Sequence, residues 1–590
     1  MGRMMSRKGM SFSRLRAPRR PYSCGALTIV LVLGLTTLLL FGLENKHVKF
    51  LSHMSGIYTQ DNGYRTLNRT KMEYPVTDVP SLIQAIRRTT EKISGGQPHE
   101  LTEVERANWK RKNPCQSRTE LEPFYTRRKF VTHVKRNPKW DAVLREYEIL
   151  HRTCLQKIDW NATKYFLERN DSSGCKFAVA GGPGWAGLGN KVLPTLAVLL
   201  YAVLTQRVLL VPVSSRLPDI MCEPFEGSSW AVDPDRLFTP SENHEDVWRP
   251  FSEFESLVDT TIAQGYFDQT RNGTPKKLYG IRPASWCQPV PRFFCNMEQE
   301  ILQTEVPWLY FTSCILFMPK LFAIPAFRSV LKDLFPDRMA TTHMIRSVMY
   351  PSDPVWTRVK NVEAMYLRHA DRRLGVQMRY RDLDAQFQEL HNTVNSRVLQ
   401  CAWNHGILPV VNTTTPRPKS PSSATTIFVT SLFPDLRDYL SEVYHRNPPA
   451  TSAVGIYQLS HGAVQKFGLE EDIQALAEVM CLSFSDELFV TPLSTFGSMA
   501  QAYGALTPYF LEYRNNSSLP PCERGQTIDP CHQDPEMAYI CPHDRDFHGK
   551  VITEVVRTIR ACPVIDTPHG VQLVTIDRPS FPDDETTSSF

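Results

Sequence analysis

The sequence predicts an α/β protein in which two doubly wound domains face one cleft, preceded by a single membrane helix and a stem. Three observations predict this organisation. A run of 20 uncharged residues begins at Cys24, short apolar strands alternate with helical patterns in two separate series, and about 160 residues separate the two series. The length of 590 residues is sufficient for more than one hydrophobic core.

The composition excludes several classes of protein. Apolar residues make up 42% of the chain and charged residues 22%, which is ordinary globular usage and excludes a wholly disordered, collagenous or coiled-coil protein. The 67 Lys and Arg residues exceed the 61 Asp and Glu residues, so the net charge is +6. Because this surplus is weak for a chain of this length, we expect no nucleic-acid partner.

The N-terminal segment predicts a signal anchor that stays in the membrane. Residues 1–23 are basic and contain no acidic side chain, and residues 24–43 form an apolar run. As a helix this run would be about 30 Å long, the thickness of a bilayer core. A cleaved signal peptide is the alternative, but its apolar region is usually about 7–15 residues long and ends in small residues, whereas Glu44–Lys46 follow here. The positive-inside rule then keeps residues 1–23 in the cytosol and sends the rest to the lumen.

Sequons and cysteines are consistent with a luminal body. Glycosylation sequons, each of which arises easily by chance, occur at Asn68, Asn161, Asn170, Asn272, Asn412 and the overlapping Asn515 and Asn516. Thirteen of the 14 cysteines follow the apolar run. Disulfides are favoured over zinc because the spacings of Cys522, Cys531 and Cys541 lack the CxxC pattern of most zinc sites.

Composition divides the remaining chain into four parts. Residues 44–140 are polar, with short helical patches such as Val79–Lys92, and predict a stem. Residues 141–350 and 351–565 each contain one series of strands and helices, and each series predicts a Rossmann-like domain. Residues 566–590 are polar and contain prolines, which predicts a disordered tail.

The two series define parallel sheets. In the first, Lys176–Gly182 predicts a buried strand, Leu188–Gln206 an apolar helix and Arg207–Val211 the next strand, which together form a βαβ unit. The second series predicts strands at Leu374–Arg379, Thr426–Ser431, Val454–Leu459, Glu487–Pro492 and Tyr509–Tyr513, and helices at Pro434–Tyr444, Glu470–Ser485 and Ser494–Gly504.

Three segments lie just beyond predicted strands, where ligands of parallel sheets bind. The glycines of Gly181–Asn190 allow a phosphate to approach the backbone, although the segment matches neither a Walker A loop nor GxGxxG. Arg379 ends a strand, where its guanidinium could hold a diphosphate. Ser494 and Thr495 open a helix and offer hydroxyl and N–H groups. A tight turn, a surface ion pair and an ordinary N-cap are the respective structural alternatives.

The sequence predicts no metal site and identifies no general base. Asp-x-Asp pairs, a common divalent-metal pattern, occur about as often as chance allows, at Asp233/Asp235, Asp382/Asp384 and Asp544/Asp546. His461 follows a strand and could be catalytic, but a structural histidine is the commoner case. A GxSxG hydrolase motif is missing from the sequence.

The order of these motifs resembles that of the plant xyloglucan-type fucosyltransferases. AGLGNKVLPTLAVLLYAVLTQRVLLV, followed by MCEPFEGSSW, is similar to the GGLGNR loop, Leu-rich helix and CEPF–G–SW segment of that family. LGVQMRY is similar to its GIQIR motif, and IFVTSL, IYQLSH, LFVTPLSTFG and CERG follow in the family's order. The resemblance covers roughly residues 145–562. Lys191 and Leu493 depart from it, because the family usually has Arg and Trp there, and residues appear inserted before GLGN.

The resemblance implies a GT-B-like fold and an inverting enzyme of the Golgi membrane. Such an enzyme transfers L-fucose from GDP-fucose to a galactose hydroxyl, typically the 2-OH, without a metal or cofactor. The residues carried over are Arg379 as the catalytic contact to the pyrophosphate, Ser494, Thr495 and Phe496 in the donor site, and Gly189 and Asn190 across the cleft.

Two alternatives remain open at this point. The protein could be a fucosyltransferase that acts on another glycan or on a protein, rather than on a cell-wall polysaccharide such as xyloglucan or arabinogalactan. It could also be a membrane-anchored, non-catalytic scaffold that binds glycans. Arg379 and the Ser-Thr-Phe-Gly segment favour an enzyme, because a scaffold has no physical need for a phosphate clamp.

Overall fold

The computed structural model describes residues 76–128, 131, 133–158, 174–182, 186–233, 278–281, 291–313, 316–380, 388–411, 422–449, 452–459, 466–512, 518–531, 559–561 and 571–573. The predicted cytosolic tail, residues 1–23, and the predicted membrane helix, residues 24–43, lie outside these ranges. Within them, no helix combines the length and the apolar character needed to cross a bilayer.

Within the described ranges, five helices precede the first strand. They are α1 (Val79–Ser94), α2 (Glu103–Lys112), α3 (Ser117–Glu120), α4 (Glu122–Thr126) and α5 (Pro138–Lys157). Helix α1 begins with a capping box between Asp78 and Ser81 and ends at Gly95, which has a left-handed backbone. Its apolar face, which includes the fully buried Leu82 and Ile86, packs against α5.

These helices correct the prediction that residues 44–140 are a stem, because the described part of that segment is folded onto the body. The Val79 N–H donates to Asp333 Oδ2 at 2.9 Å, although the two residues are 254 positions apart. A disulfide joins Cys115 to Cys222. A short amphipathic helix has the same pattern whether or not a partner covers its apolar face, so the sequence did not reveal this packing.

The first sheet contains five parallel strands in the order β3-β2-β1-β5-β4. Its elements are β1 (Phe177–Ala180), α6 (Gly189–Leu204), β2 (Val208–Pro212), a 3-10 turn (Val213–Ser215), α7 (Leu217–Ile220), β3 (Ala231–Val232), β4 (Leu278–Ile281), a second 3-10 turn (Pro291–Phe294), α8 (Asn296–Glu305), β5 (Trp308–Phe311), α9 (Met318–Leu321), α10 (Pro325–Leu334) and α11 (Ala340–Val348). The βαβ unit that the sequence predicts is confirmed as β1, α6 and β2.

The second sheet contains six strands in the order β11-β10-β9-β6-β7-β8, all parallel except β11. Its elements are α12 (Asp353–Val362), a π-helix (Glu363–Leu367), β6 (Arg372–Gln377), α13 (Gln388–Asn404), β7 (Ser423–Thr430), α14 (Asp435–Arg446), β8 (Ser452–Tyr457), α15 (Leu469–Ser483), β9 (Glu487–Val490), α16 (Thr495–Gly504), β10 (Tyr509–Leu511) and β11 (Cys522–Arg524). Every predicted strand and helix of this series is confirmed, but β6 ends two residues before Arg379.

A third, two-stranded sheet corrects the prediction of a disordered tail for residues 571–573, the part of residues 566–590 that the structure describes. Strand β12 (Ile559–Ala561) pairs antiparallel with β13 (Val571–Leu573). Leu573 is buried and belongs to the main core. A three-residue strand within a polar segment carries no recognisable period, so sequence reasoning missed it.

One large core joins the first sheet to one face of the second. It runs from the N-terminal helices through α6 and the first sheet to α15 and α16, which cover that face of the second sheet. A separate apolar cluster lies on the opposite face, beneath α13 and α14. Because α15 and α16 share a core with the first sheet, their first turns face the carboxyl ends of its strands.

Disulfides are confirmed as the main use of cysteine. The pairs are Cys115–Cys222, Cys154–Cys175 and Cys401–Cys522, and Cys295 and Cys531 are also disulfide-bonded. Among the described residues, Cys481 is a free, buried thiol.

We expect Leu82→Ala to lower the free energy of unfolding by about 2–5 kcal/mol, because it opens a cavity between α1 and α5. Urea unfolding of the purified protein measures the change. Gln84→Ala, an exposed position on the same helix, is the matched control and should change stability by less than about 0.5 kcal/mol. Equal stability of the two variants would show that α1 does not pack as described.

Candidate active site

The two predicted donor-site segments meet across the two sheets. Gly189 and Asn190 form the first turn of α6, which follows β1, and Thr495 begins α16, which follows β9. The Thr495 hydroxyl donates to Asn190 Oδ1 at 2.5 Å, over a separation of 305 residues. The structure therefore brings these three residues to one place between the carboxyl edges of the sheets.

Gly189 allows the two helices to approach this closely. A Cβ atom at this position would lie 2.7 Å from the backbone C and O atoms of Thr495, which is closer than real Cβ contacts. Since backbone atoms cannot swing away as a flexible side chain can, any side chain at position 189 would push α6 and α16 apart. The glycine is required here by the approach of the neighbouring helix, and this contact is independent of any role in binding phosphate.

Both helices present first turns without a side-chain cap. Leu188 precedes α6 and Ser494 precedes α16, and neither makes a capping hydrogen bond through its side chain. The first turn of neither helix contains an acidic residue. At α16 the N–H groups and the positive end of the helix dipole are thus available to an anion, and diphosphates bind such positions. In α6 the N–H groups of Asn190 and Lys191 already donate to the Gly187 and Leu188 carbonyls, at 3.0 Å each.

Buried polar side chains surround the start of α16. Ser494 Oγ, Gln377 Oε1 and Thr430 Oγ1 are buried and have no hydrogen-bond partner within the described part of the chain. Gln377 and Thr430 are adjacent partners at the ends of β6 and β7. Gln377 also packs against the turn at Gly497, where a Cβ atom would lie 3.0 Å from its Oε1. Because buried polar groups are nearly always paired, this cluster is typical of a site built for a polar ligand.

Arg379 lies at the same edge of the second sheet. Its backbone N–H donates to Thr491 Oγ1 at 2.8 Å, which fixes the chain where β6 and β9 end. Its side chain is exposed. Phe496 is half-buried and packs against the main core. The predicted roles of Arg379 and Phe496 in the donor site remain predictions.

A second contact across the sheets involves three charged side chains. Asp472, in the first turn of α15, accepts a hydrogen bond from Arg216 Nε at 2.7 Å, and Lys191 Nζ lies 3.7 Å from the same carboxylate oxygen. The Lys191 side chain is only 2% exposed. Burial lowers the pKa of Lys191 and the Asp472 carboxylate partly opposes that shift. Sequence reasoning missed Arg216 and Asp472, because nothing in their local context shows that they meet.

The loop before α16 contains an unusual backbone conformation. Leu493 has a φ of 61°, in the left-handed region that is strained for residues other than glycine. It is the position at which this chain departs from the Trp of the resembled family. The sequence identified the replacement, but could not show that the position is a tight turn that sets the start of α16.

The described residues contain one group with the spacing of metal ligands, namely Cys401, His405 and Cys522. Two of these are the halves of a disulfide, so their sulfur atoms are bonded to each other. Of the three Asp-x-Asp pairs, only Asp233 lies in the described ranges, and His461 lies outside them.

A profile of the xyloglucan fucosyltransferase family matches residues 95–541. The chain belongs to this family. It is 33% identical to a galactoside 2-α-L-fucosyltransferase of Pisum sativum over 447 residues, which is 73% of this chain and 75% of the relative. It is 31% identical to the galactoside 2-α-L-fucosyltransferase of Arabidopsis thaliana, covering 68% of this chain and 71% of that protein.

A solved structure agrees with this assignment. FUT1 of Arabidopsis thaliana, in complex with GDP, is 26% identical and superposes with a TM-score of 0.63, covering 82% of this chain and all of that one. The family resemblance noted from the sequence is thus confirmed, as is the prediction of two parallel α/β sheets. The protein is a fucosyltransferase.

We expect Gly189→Ala to lower kcat/KM for transfer by about 100-fold, because a displacement of about 1 Å between the two halves of the site is enough for that loss. Steady-state kinetics measures the effect, with circular dichroism to verify folding. Gln84→Ala, the change at an exposed position of α1, is the control: it lies on an element outside the site, so activity should stay near the wild-type value. If the two variants are equally active, the contact between α6 and α16 does not shape the site.

Proposed function

We propose that the protein transfers L-fucose from GDP-fucose to a galactose hydroxyl of a cell-wall glycan such as xyloglucan or arabinogalactan, most simply the 2-OH, with inversion at the sugar carbon. The observation that supports this most is the meeting of Asn190 and Thr495 beside an uncapped helix start and a cluster of buried, unpaired polar atoms. Relatives that carry the activity in their names support the acceptor class.

The diphosphate of the donor would lie at the start of α16. The N–H groups of this turn and the hydroxyls of Ser494 and Thr495 would bind its oxygens, and Arg379 would bind the same group from the end of β6. Gln377 and Thr430 would supply further hydrogen bonds from the adjacent strand ends. These groups are positioned by strands and by helix backbone, so little reorganisation is needed when the donor binds.

The residues so placed would stabilise the departure of GDP. The bond between the fucose anomeric carbon and the β-phosphate oxygen breaks, and its electron pair stays on that oxygen. The acceptor oxygen attacks the opposite face of the sugar, and its proton passes to a base. The charge that grows on the β-phosphate is stabilised by Arg379 and by the helix start, so the proposed reaction needs no divalent cation.

We also propose that this enzyme is a single-pass Golgi protein with a luminal catalytic domain. The disulfides Cys115–Cys222, Cys154–Cys175 and Cys401–Cys522 support an oxidising compartment. The predicted span at residues 24–43 and the basic residues before it support the orientation. If so, protease added outside intact Golgi vesicles should remove only the short N-terminal tail, and detergent should make the remainder accessible. Digestion of the body in intact vesicles would reject this topology.

The central test is release of GDP by the full-length protein in detergent. We expect release that requires both GDP-fucose and a galactose-bearing polysaccharide, and that persists in EDTA. A protein or another glycan as the only productive acceptor would favour the first alternative. Binding of neither GDP nor GDP-fucose by the folded protein would favour the non-catalytic scaffold.

We expect Arg379→Ala to lower the rate of transfer about 30- to 1,000-fold, equivalent to about 2–4 kcal/mol of lost transition-state stabilisation. Stability should hardly change, because the side chain is exposed. Arg446→Ala is the matched control, since this arginine of the same domain is 73% exposed and lies on α14. Near-normal turnover by Arg379→Ala would remove this residue from the proposed mechanism.

A further inference from the structure

Exposed apolar side chains are few in the described ranges, and three of them belong to two segments that meet at the carboxyl edges of the two sheets. The large hydrophobic residues with substantial exposure are Val104, Val213, Met365, Val410, Leu432, Phe467 and Leu469. Val213 follows the end of β2 directly, and Phe467 and Leu469 stand at the start of α15. They are 43%, 54% and 44% exposed, respectively.

The charged contact described above joins the two segments that carry these residues. Arg216, three positions after Val213, donates to Asp472, which is three positions after Leu469 and so one helical turn along α15. Helices α7 and α15 are also in direct contact. The apolar residues therefore border the boundary, or seam, between the two sheets. Val213 lies on the side of the first sheet, and Phe467 and Leu469 lie on the side of the second. We call Val213, Phe467 and Leu469 the apolar rim.

The rim belongs to the same edge as the candidate donor site. Helix α15 begins at the carboxyl edge of the second sheet, where Gln377 and Thr430 end their strands, and its neighbour on the same face is α16. A ligand lying along the rim would thus reach the cleft in which fucose is to be transferred.

The surroundings of the rim favour a neutral, hydroxyl-rich ligand. Charges of both signs lie beside Phe467 and Leu469, because Lys466 and Glu471 are exposed and Glu470 is paired with Arg358 at 2.6 Å. This balance selects neither an anionic nor a cationic polymer. The Glu471 carboxylate oxygens can accept hydrogen bonds from sugar hydroxyls. The C–H groups on one face of a pyranose ring are apolar, and an aromatic ring with about half of its surface exposed can bury them.

We propose that the apolar rim binds the acceptor chain, a neutral polysaccharide. Phe467 stacks on the C–H face of one pyranose residue, Val213 and Leu469 contact its neighbours across the seam, and Glu471 accepts hydrogen bonds from their hydroxyls. These residues position the acceptor and take no part in bond breaking. The inference rests on the proposed transfer to a glycan, and it names the surface that selects that glycan.

The test is Phe467→Ala in the full-length protein. We expect KM for a neutral, galactose-bearing polysaccharide to rise about tenfold, as truncation of a central aromatic contact usually does. KM for GDP-fucose and the slow hydrolysis of GDP-fucose without acceptor should stay unchanged, because the donor contacts are intact. Phe467→Tyr should restore acceptor KM, since it keeps the ring. Val104→Ala, at a side chain 70% exposed on α2, is the control for loss of an exposed apolar residue.

Binding measured without turnover separates failure of this inference from failure of the proposed function. In affinity electrophoresis through gels containing the polysaccharide, wild-type protein should be retarded and Phe467→Ala should not. If the wild type is retarded but transfers nothing, the proposed reaction is rejected, and the proposal that the apolar rim binds the polysaccharide is kept. Equal retardation of both proteins, or an equal KM for the acceptor, would reject the proposal that the apolar rim binds the acceptor. A change in sedimentation coefficient on Phe467→Ala would also overturn it, by showing a contact between copies of the chain.

Discussion

The close approach of α6 to α16 is the constraint on which the site depends. Two helices can meet end to end at this distance only if one of them lacks a side chain at the point of contact, and Gly189 satisfies that condition. The Asn190–Thr495 hydrogen bond then fixes the register of the two first turns. Each helix follows a central strand, so their meeting also sets the carboxyl edges of both sheets opposite each other.

Contacts at both ends of α15 stabilise the arrangement in which α6 and α16 meet. The C-terminal end of α15 is held by the N-terminal helices: the Tyr125 hydroxyl lies 3.3 Å from Ser483 Oγ, and Arg128 donates to the Ser483 carbonyl. The opposite end of α15 is held by the buried carboxylate of Asp472. Helix α15 is therefore attached at both ends to elements outside its own sheet. A shared core, rather than a surface contact, joins the two sheets.

Much of the fold and part of the candidate site could be predicted from the sequence, and the reason is physical. Buried parallel strands are continuous apolar runs, so β1, β6, β7 and β9 were recognisable from composition alone. Residues that follow such runs must lie at one edge, which is why Gly189, Thr495 and Arg379 could be placed near one another before their contacts were known.

What could not be predicted depends on contacts between distant segments. Lys191 and Asp472 show no local signal of their pairing, and Asp333, which anchors the start of α1, lies far along the chain. Gln377 and Thr430 could have been identified from the sequence, because a polar residue at the end of an apolar strand is a recognisable pattern. The strain at Leu493 and the pairing of the strand that contains Leu573 could be identified only from the backbone conformation in the structure.

The distant anchor of α1 has a consequence for the way the chain acquires its structure. Val79 is bound by Asp333, 254 residues later, and Cys115 by Cys222, 107 residues later, so these two anchors of the first helices form only after those segments have been synthesised. Contacts of such long range are formed late and slowly. During that interval the apolar side chains of α1 can already be covered by α5, which ends at Lys157, so the distant contacts fasten a pair of helices that forms locally.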